Sequence, residues 1–127
     1  AYGRNLGIAF QLVDDAIDYV SDASTMGKDA GDDFREGKMT LPVILAYARG
    51  DEAARGFWRD AVSGRRASDA DFAHAIELVR GSRAVEDTMA RARHYGQRAI
   101  ESLAPFADGA AKDAMVEAVE FAVARAY

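Results

Sequence analysis

Three aspartates and two lysines in the first third of the chain are the residues whose types and spacing could do chemistry. Asp14, Asp15 and Asp18 form a DDxxD cluster, and Lys28 and Lys38 follow in a glycine-containing polar segment. Carboxylate oxygens bind magnesium, and ammonium groups bind the remaining charge of a phosphate. The chain has only three lysines, and two of them lie in this segment, which concentrates positive charge there. This combination is the chemistry needed to hold a diphosphate through Mg²⁺.

The aspartates lie on a helix that is predicted over residues 1–22 and is apolar around most of its circumference. Its apolar arc consists of Leu6, Ala9, Phe10, Val13, Ala16, Ile17 and Val20. The polar arc is expected to face a cavity rather than bulk water. Asp14 and Asp18 are one turn apart, so both can reach one ion. Asp15 is offset by about 100° and is expected to contact a water bound to the metal.

On these grounds, two interpretations of the acidic cluster stay open. One is a solvated acidic face, which is the usual place for a run of charges. The other is a metal site, because the acids come late in the helix, where the helix dipole disfavours negative charge. Asp14 and Asp18 also repel each other by about 0.2–0.5 kcal/mol, and a bound cation would relieve that repulsion.

Residues 23–39 are predicted to form a loop that carries both lysines. Lys28 and Lys38 each follow a glycine, which lets the backbone approach a ligand closely. Asp33 lies between them and could bind a metal-coordinated water or hold a lysine in place. The loop is therefore the expected partner of the aspartate cluster.

Five further helices are predicted after the loop. They run from Thr40 to about Arg49, from Asp51 to about Ser63, from Ser68 to Gly81, from Ser82 to about Leu103, and from about 109 to 126. The first four begin at residues whose side chains can cap a helix. Ser68 and Asp71 form the pattern of a capping box. The whole pattern predicts an all-α helical bundle.

The composition excludes several classes of protein. The chain has no cysteine, which excludes disulfides and thiolate metal sites, and two histidines argue against a histidine zinc site. The net charge of −5 argues against nucleic-acid binding. No stretch approaches the roughly 18 apolar residues of a membrane span, and we expect a cytoplasmic location. Helical spacing from Tyr2 onward, with no cap before it, indicates that the chain starts inside a helix of a longer protein.

The segment Gly3–Asp18, with the pattern GxxxGxAFQxxDDxxD, resembles the trans-polyprenyl diphosphate synthases. The likeness continues through Gly27-Lys28 and through DFREGKMTLP, which ends at Pro42, and so covers about forty residues. The DDFREGK form of the loop is most similar to the long-chain members. Those enzymes make octaprenyl to decaprenyl diphosphate for quinone side chains, as in ubiquinone biosynthesis.

The resemblance implies that residues 1–127 are the C-terminal segment of a single all-helical isoprenoid synthase domain. In that family, magnesium ions hold an allylic diphosphate, and the double bond of isopentenyl diphosphate attacks the allylic cation. The implied metal site consists of Asp14, with the most direct contact, and of Asp15, Asp18 and Asp33. The implied substrate contacts are Lys28 and Lys38 for the diphosphate, Gln11 and Phe10 near the reacting carbons, and Thr40 as a cavity or cap residue.

In the family, the first aspartate motif and the isopentenyl diphosphate segment precede this region. The resemblance therefore predicts that these 127 residues alone are inactive, and that the enzyme is a homodimer. Three alternatives are a non-catalytic helical subunit of a heteromeric prenyl synthase, a class I terpene cyclase, and a helical interaction module with an acidic patch. The intact aspartates and lysines argue against the first, and the TLP sequence argues against the second. The third predicts that Asp14→Ala leaves ligand binding unchanged.

Overall fold

A computed structural model of the protein describes residues 1–20 and 31–125, and these ranges contain seven α-helices. In chain order they are α1 Tyr2–Ile17, α2 Asp32–Arg35, α3 Leu41–Arg49, α4 Glu52–Val62, α5 Asp69–Gly81, α6 Ala84–Glu101 and α7 Ala110–Ala124. The described ranges contain no strand, so the predicted all-α fold class is confirmed. None of these helices is long and apolar enough to cross a membrane.

Helix α1 ends at Ile17, whereas the apolar spacing predicted a helix to residue 22. Beyond it, the Tyr19 amide donates to the Ala16 carbonyl and the Val20 amide donates to the Ile17 carbonyl, each over 3.1 Å. Bonds that reach back three residues tighten the backbone and end the regular helix. Residues 21 and 22 lie outside the described ranges.

The segment predicted as a loop over 23–39 contains the short helix α2. It begins after Gly31, and its first turn contains Asp32 and Asp33, whose charges are favourable at the positive end of a helix. Four residues are too few to show a helical period, so periodicity could not predict this helix. Asp33 and Phe34 of this helix are buried.

Two predicted helix starts are confirmed by their capping hydrogen bonds. The Asp51 carboxylate accepts from the Ala54 amide over 2.8 Å at the start of α4. At the start of α5, the Asp71 amide donates to the Ser68 hydroxyl over 3.0 Å, and the Ser68 amide donates to the Asp71 carboxylate over 3.3 Å. These bonds satisfy amides that have no partner within the helix.

The helix predicted from Ser82 to about Leu103 is present as α6, but its predicted cap at Ser82 is wrong. The Ser82 hydroxyl donates to the Val79 carbonyl over 2.9 Å, so Ser82 ends α5. Arg83 then takes a left-handed conformation with φ of 60°, and α6 runs from Ala84 to Glu101. A serine hydroxyl can bond backward or forward, and its residue type does not say which.

Residues 1–14 and 89–125 form one compact unit of the chain. Its core consists of Ala9, Val13, Met89, Ala92, Ala99, Leu103, Val119 and Ala122. The Tyr2 hydroxyl joins α1 to α7 by donating to the Met115 carbonyl over 2.8 Å. A Cβ on Gly96 would lie 2.9 Å from Val123 Cγ2, so a glycine is what allows α6 and α7 to approach this closely.

Residues 15–20 and 31–88 form a second compact unit. Its core contains an aromatic cluster that consists of Tyr19, Phe34, Phe57, Trp58 and Phe72. Phe34 lies at the centre, with ring centroids 6.1 Å from Phe57, 6.4 Å from Trp58 and 5.7 Å from Phe72. Helix α4 packs against α2 and α3 in this unit. The cluster therefore fixes α2 to the helices that follow it.

Candidate diphosphate and metal site

The end of α2 sets the position of Lys38. The Gly37 amide donates to the Phe34 carbonyl over 3.0 Å, and the Lys38 amide donates to the Asp33 carbonyl over 2.9 Å. These two bonds form a Schellman motif, which requires a left-handed residue, and Gly37 has φ of 72°. Lys38 therefore projects from a backbone whose geometry is fixed by two hydrogen bonds.

Gly37 also lies against the end of α4. A Cβ at this position would be 2.7 Å from the Val62 carbonyl oxygen, so no side chain fits. The sequence predicted that Gly37 allows close approach of the backbone to a ligand. The structure shows a close approach of Gly37 to the protein's own backbone, which holds the Lys38 turn in place, and the approach to a ligand stays a prediction.

Lys38 carries a charged ammonium group at the surface of the second unit. Its Nζ lies 3.1 Å from a Glu36 carboxylate oxygen and 3.7 Å from an Asp33 carboxylate oxygen. The hydrogen bond and charge of Glu36, and then the charge of Asp33, raise the pKa of Lys38 above its ordinary value. The side chain is 58% exposed, so it can bind an anion from solvent. Of the two roles predicted for Asp33, the structure shows contact with a lysine.

The aspartates of the DDxxD cluster differ in burial. Asp14, in the first unit, and Asp15, in the second, are partly buried, whereas Asp18 is fully buried. Burial of a carboxylate is costly unless it is paired, hydrogen-bonded or metal-bound. A solvated acidic face, which was one of the two open interpretations, is therefore wrong for Asp18.

The acidic donors suit a metal that is bound together with a phosphate ligand. Within residues 1–20 and 31–125, no group of three or more carboxylates and imidazoles forms a metal cage made of protein alone. Mg²⁺ takes one or two protein carboxylates and completes its shell with water and phosphate oxygens. Asp14, Asp15 and Asp18 supply carboxylate oxygens, which are the donors that hard divalent cations take.

The pKa of the Tyr19 phenol shows how negative the surroundings of this residue are in the second unit. Burial, and then the charges of Asp18, Asp33 and Asp15, raise the pKa of its phenol far above its ordinary value. The phenol therefore keeps its proton at every physiological pH. Three carboxylates that act on one buried side chain create a negative potential that favours a nearby cation.

Phe10 and Gln11, in the first unit, were predicted to lie near the reacting carbons. Phe10 is 47% exposed, and the Arg125 guanidinium lies 3.8 Å from its ring centroid. Arg125 also donates to the Phe10 carbonyl over 2.9 Å. One face of the Phe10 ring is therefore occupied by a cation, and only the other face can meet a substrate. Gln11 is exposed.

Thr40 lies at the predicted N-cap position of α3, but its hydroxyl makes no capping hydrogen bond. The Oγ1 atom is buried and has no hydrogen-bond partner among residues 1–20 and 31–125. The hydroxyl has unused hydrogen-bonding capacity, and a ligand would have to displace the atoms that bury it. Lys28, the other predicted diphosphate ligand, lies outside the described residues.

Sequence reasoning missed three residues that lie next to individual predicted site residues. Tyr19 directly follows the acidic cluster, and a polar aromatic residue next to three aspartates was a signal that could have found it. Arg125 contacts a residue 115 positions away, and Val62 contributes a backbone carbonyl. Neither of those contacts leaves a pattern in the local sequence.

The described residues form an all-α fold that carries the acids and the lysine predicted to bind a metal and a diphosphate. The family model for polyprenyl synthetase matches residues 1–79, which is more than half of the chain. The chain therefore belongs to the polyprenyl synthetase family. The resemblance expected from the DDxxD segment and the lysine loop is confirmed.

Curated relatives match nearly the whole chain. A probable mitochondrial hexaprenyl pyrophosphate synthase of Neurospora crassa is 40% identical over 116 residues, which are 91% of this chain and 25% of the relative. The octaprenyl diphosphate synthase of Escherichia coli is 35% identical over 127 residues, which are 98% of this chain and 38% of the relative. The chain thus spans about a quarter to two fifths of the length of these relatives.

Solved structures share the fold. A polyprenyl synthase from Caulobacter crescentus, complexed with calcium and isoprenyl diphosphate, has a TM-score of 0.91 and 47% identity, and the match covers 99% of this chain and 38% of that one. A decaprenyl diphosphate synthase from Rhodobacter capsulatus has a TM-score of 0.88 and 38% identity, with 99% and 39% covered. The isoprenoid synthase fold predicted for the chain is therefore confirmed.

Proposed function

We propose that the chain is part of a prenyltransferase that extends an allylic diphosphate with isopentenyl diphosphate. The product would be a long-chain all-trans polyprenyl diphosphate for quinone side chains. One observation carries the proposal: the DDxxD aspartates and Lys38 all lie within residues 1–79, the part that matches the family. The relatives named hexaprenyl, octaprenyl and decaprenyl synthases support a long-chain product.

We propose Mg²⁺ as the cofactor, with Asp14 as the most direct ligand. Asp15 would reach a metal-bound water, and the charges of Asp18 and Asp33 would favour the cation. Bound Mg²⁺ would neutralise the charge that develops on the departing diphosphate. The calcium and isoprenyl diphosphate in the Caulobacter crescentus relative support a divalent metal with this class of substrate.

The chain's own side chains would bind and orient the allylic substrate. Lys28 and Lys38 would bind diphosphate oxygens through charge-assisted hydrogen bonds, and the Thr40 hydroxyl would donate another. Departure of the diphosphate leaves an allylic cation. The Gln11 carbonyl dipole and the open face of the Phe10 ring would stabilise it. Attack by the double bond of isopentenyl diphosphate forms the new carbon–carbon bond, and loss of a proton completes the extension.

The test is a prenyl-transfer assay on the intact protein that carries this chain. Labelled isopentenyl diphosphate, farnesyl diphosphate and Mg²⁺ are supplied, and products are sized by reverse-phase chromatography. We expect octaprenyl to decaprenyl products that a chelator abolishes. Asp14→Ala and Lys38→Ala should each lower kcat/KM by about 100-fold, as loss of a charge-stabilising group does. Asp108→Ala and Lys112→Ala, which alter an ion pair elsewhere on the surface, serve as matched controls.

Two results would count against this function. One is a folded intact protein that incorporates no label, which would favour a non-catalytic subunit of a heteromeric synthase. The other is full activity in Asp14→Ala, which would separate the aspartate cluster from the chemistry. The homodimer, the cytoplasmic location and the inactivity of residues 1–127 alone stay predictions. Gel filtration of the intact protein and the same assay on the isolated segment would test the first and the last.

A further inference from the structure

The side chain of Arg125, directly after α7, contacts both the ring and the backbone of Phe10 in the first unit. Its guanidinium carbon lies 3.8 Å from the centroid of the Phe10 ring. Its Nη2 atom donates to the Phe10 carbonyl over 2.9 Å, and its Nε atom donates to the Ala122 carbonyl over 3.3 Å. One cation therefore holds Phe10 at two points and is itself anchored to the last turn of α7.

The Phe10 ring depends on such a contact to keep one orientation. The residue is 47% exposed, so about half of its surface is not packed against the described residues. Aromatic side chains on a helix have two common χ1 values, near 180° and near −60°. A guanidinium over one face of an exposed ring stabilises one of these orientations by about 2- to 5-fold.

The Phe10 carbonyl lies one turn before a proposed metal ligand. In a regular α-helix the carbonyl of residue 10 accepts from the amide of Asp14, and α1 continues to Ile17. A carbonyl oxygen has two lone pairs, so it can accept from the Asp14 amide and from Arg125 together. Arg125 therefore ties the end of α7 to the turn of α1 that carries both Phe10 and Asp14.

We propose that Arg125 is a positioning residue that holds the Phe10 ring at the reacting end of the allylic chain, and that it thereby influences product length. This inference rests on the proposed function, in which the open face of Phe10 stabilises the allylic cation. Each extension of the chain competes with release of the product. Release depends on the contacts to the diphosphate, which are proposed for other residues. A ring that leaves its place therefore slows extension without slowing release, and the products become shorter.

An arginine suits this position better than other polar residues. Its guanidinium is planar, so it can lie over an aromatic ring while its N–H groups donate to carbonyls. A lysine keeps the charge, but its single ammonium cannot lie over the ring and bond to two carbonyls at once. A glutamine keeps a planar donor group and loses the charge. Substitution by lysine and by glutamine thus separates the effect of charge from the effect of shape.

The first experiment observes the ring itself in the intact protein, with 4-fluorophenylalanine at position 10. We expect one sharp ¹⁹F resonance in the parent, because the ring keeps one orientation. Arg125→Gln should shift and broaden it, and Arg125→Lys should give an intermediate spectrum. Arg91→Gln, at an exposed position of α6, should leave it unchanged. A resonance that neither moves nor broadens in Arg125→Gln would overturn the positioning role.

The second experiment measures product length in the assay with labelled isopentenyl diphosphate, farnesyl diphosphate and Mg²⁺. Arg125→Gln should lower the ratio of extension to release by about 2- to 5-fold at each step, and Arg125→Lys should lower it less. Loss of folded protein would lower the total product and leave its length distribution unchanged. Product lengths in Arg125→Gln that equal those of the parent would refute the effect on product length.

A double-mutant cycle shows whether Arg125 acts through the ring. Phe10→Leu removes the ring and keeps the backbone carbonyl, so Arg125→Gln in that background should shorten the products no further. Equal shortening in both backgrounds would overturn the proposal, because Arg125 would then act without Phe10. If the parent protein makes no polyprenyl product, the proposed function fails, whereas the ¹⁹F spectra still decide the structural part of the inference.

Discussion

Gly37→Ala tests the packing that holds the Lys38 turn. Gly37 has φ of 72°, and an added Cβ would lie 2.7 Å from the Val62 carbonyl oxygen. The substitution therefore has two separate costs. An L residue with positive φ is strained, and the new methyl group meets a backbone atom that cannot rotate away.

The magnitude follows from these two costs. Left-handed backbone destabilises a non-glycine residue by roughly 1–2 kcal/mol. Relief of the close contact requires the end of α2 to move away from Val62. That movement weakens the hydrogen bonds from Gly37 to Phe34 and from Lys38 to Asp33, each of which contributes about 1 kcal/mol. We expect the free energy of unfolding to fall by about 2–4 kcal/mol in total.

Gly64 provides a matched control within the same unit. It has φ of 85° and ends α4 with the same pair of bonds, from the Gly64 amide to Ala61 and from the Arg65 amide to Asp60. An added Cβ meets no atom within 4 Å. Gly64→Ala therefore introduces only the left-handed strain, roughly 1–2 kcal/mol.

Urea unfolding of the intact protein, followed by circular dichroism, compares the two variants. Gly37→Ala should lose about 1–2 kcal/mol more than Gly64→Ala, because only Gly37 meets the carbonyl. Calorimetry with magnesium pyrophosphate should show about 10-fold weaker binding for Gly37→Ala alone, since Lys38 moves with the turn. Equal free energies of unfolding would refute the packing argument. Unchanged binding would refute the link to Lys38.

Three further predictions concern the capping box and the Arg125 contact. Ser68→Ala should lower the free energy of unfolding by about 1 kcal/mol in thermal melts. The Ser68 hydrogen bond is the main cause that lowers the pKa of Asp71. The stability from Asp71 is therefore present above its unfolded-state pKa of about 4 and is lost as the pH falls through the folded-state pKa. Ser68→Ala should lose less stability than the parent in an acid titration, and an equal loss would contradict this. Arg125→Lys should lower the melting temperature more than Arg91→Lys, because only Arg125 contacts Phe10, and equal melting temperatures would show that the contact contributes nothing.

The sequence could predict the helices whose signals are local. Asp51 and Ser68 mark helix starts because a capping bond joins residues only three apart. Helix α2 could not be predicted in this way, because its four residues are stabilised by contacts of Phe34 with Phe57 and Phe72. Those partners lie far along the chain, and no local pattern records them.

The residues of the candidate site could be predicted from the sequence, but their positions relative to one another in space could not. The spacing of Asp14, Asp18 and Lys38 is visible in the sequence, and so is their shared chemistry. The pairing of Lys38 with Asp33 depends on the turn at Gly37, whose geometry has no simple side-chain signal. The full burial of Asp18 was likewise not predicted, because apolar spacing placed this residue on the polar arc of the helix.

The buried Gly96 influences the surroundings of the exposed Phe10 ring, because Gly96 packs against Val123 near the end of α7. A larger residue there would press on Val123 and move the last turn of α7 outward. Arg125 lies two residues further and would leave the Phe10 ring. Both faces of that ring would then be open to solvent. A substitution at Gly96 would thus change the surroundings of the Phe10 ring while leaving Phe10 and Arg125 themselves unaltered.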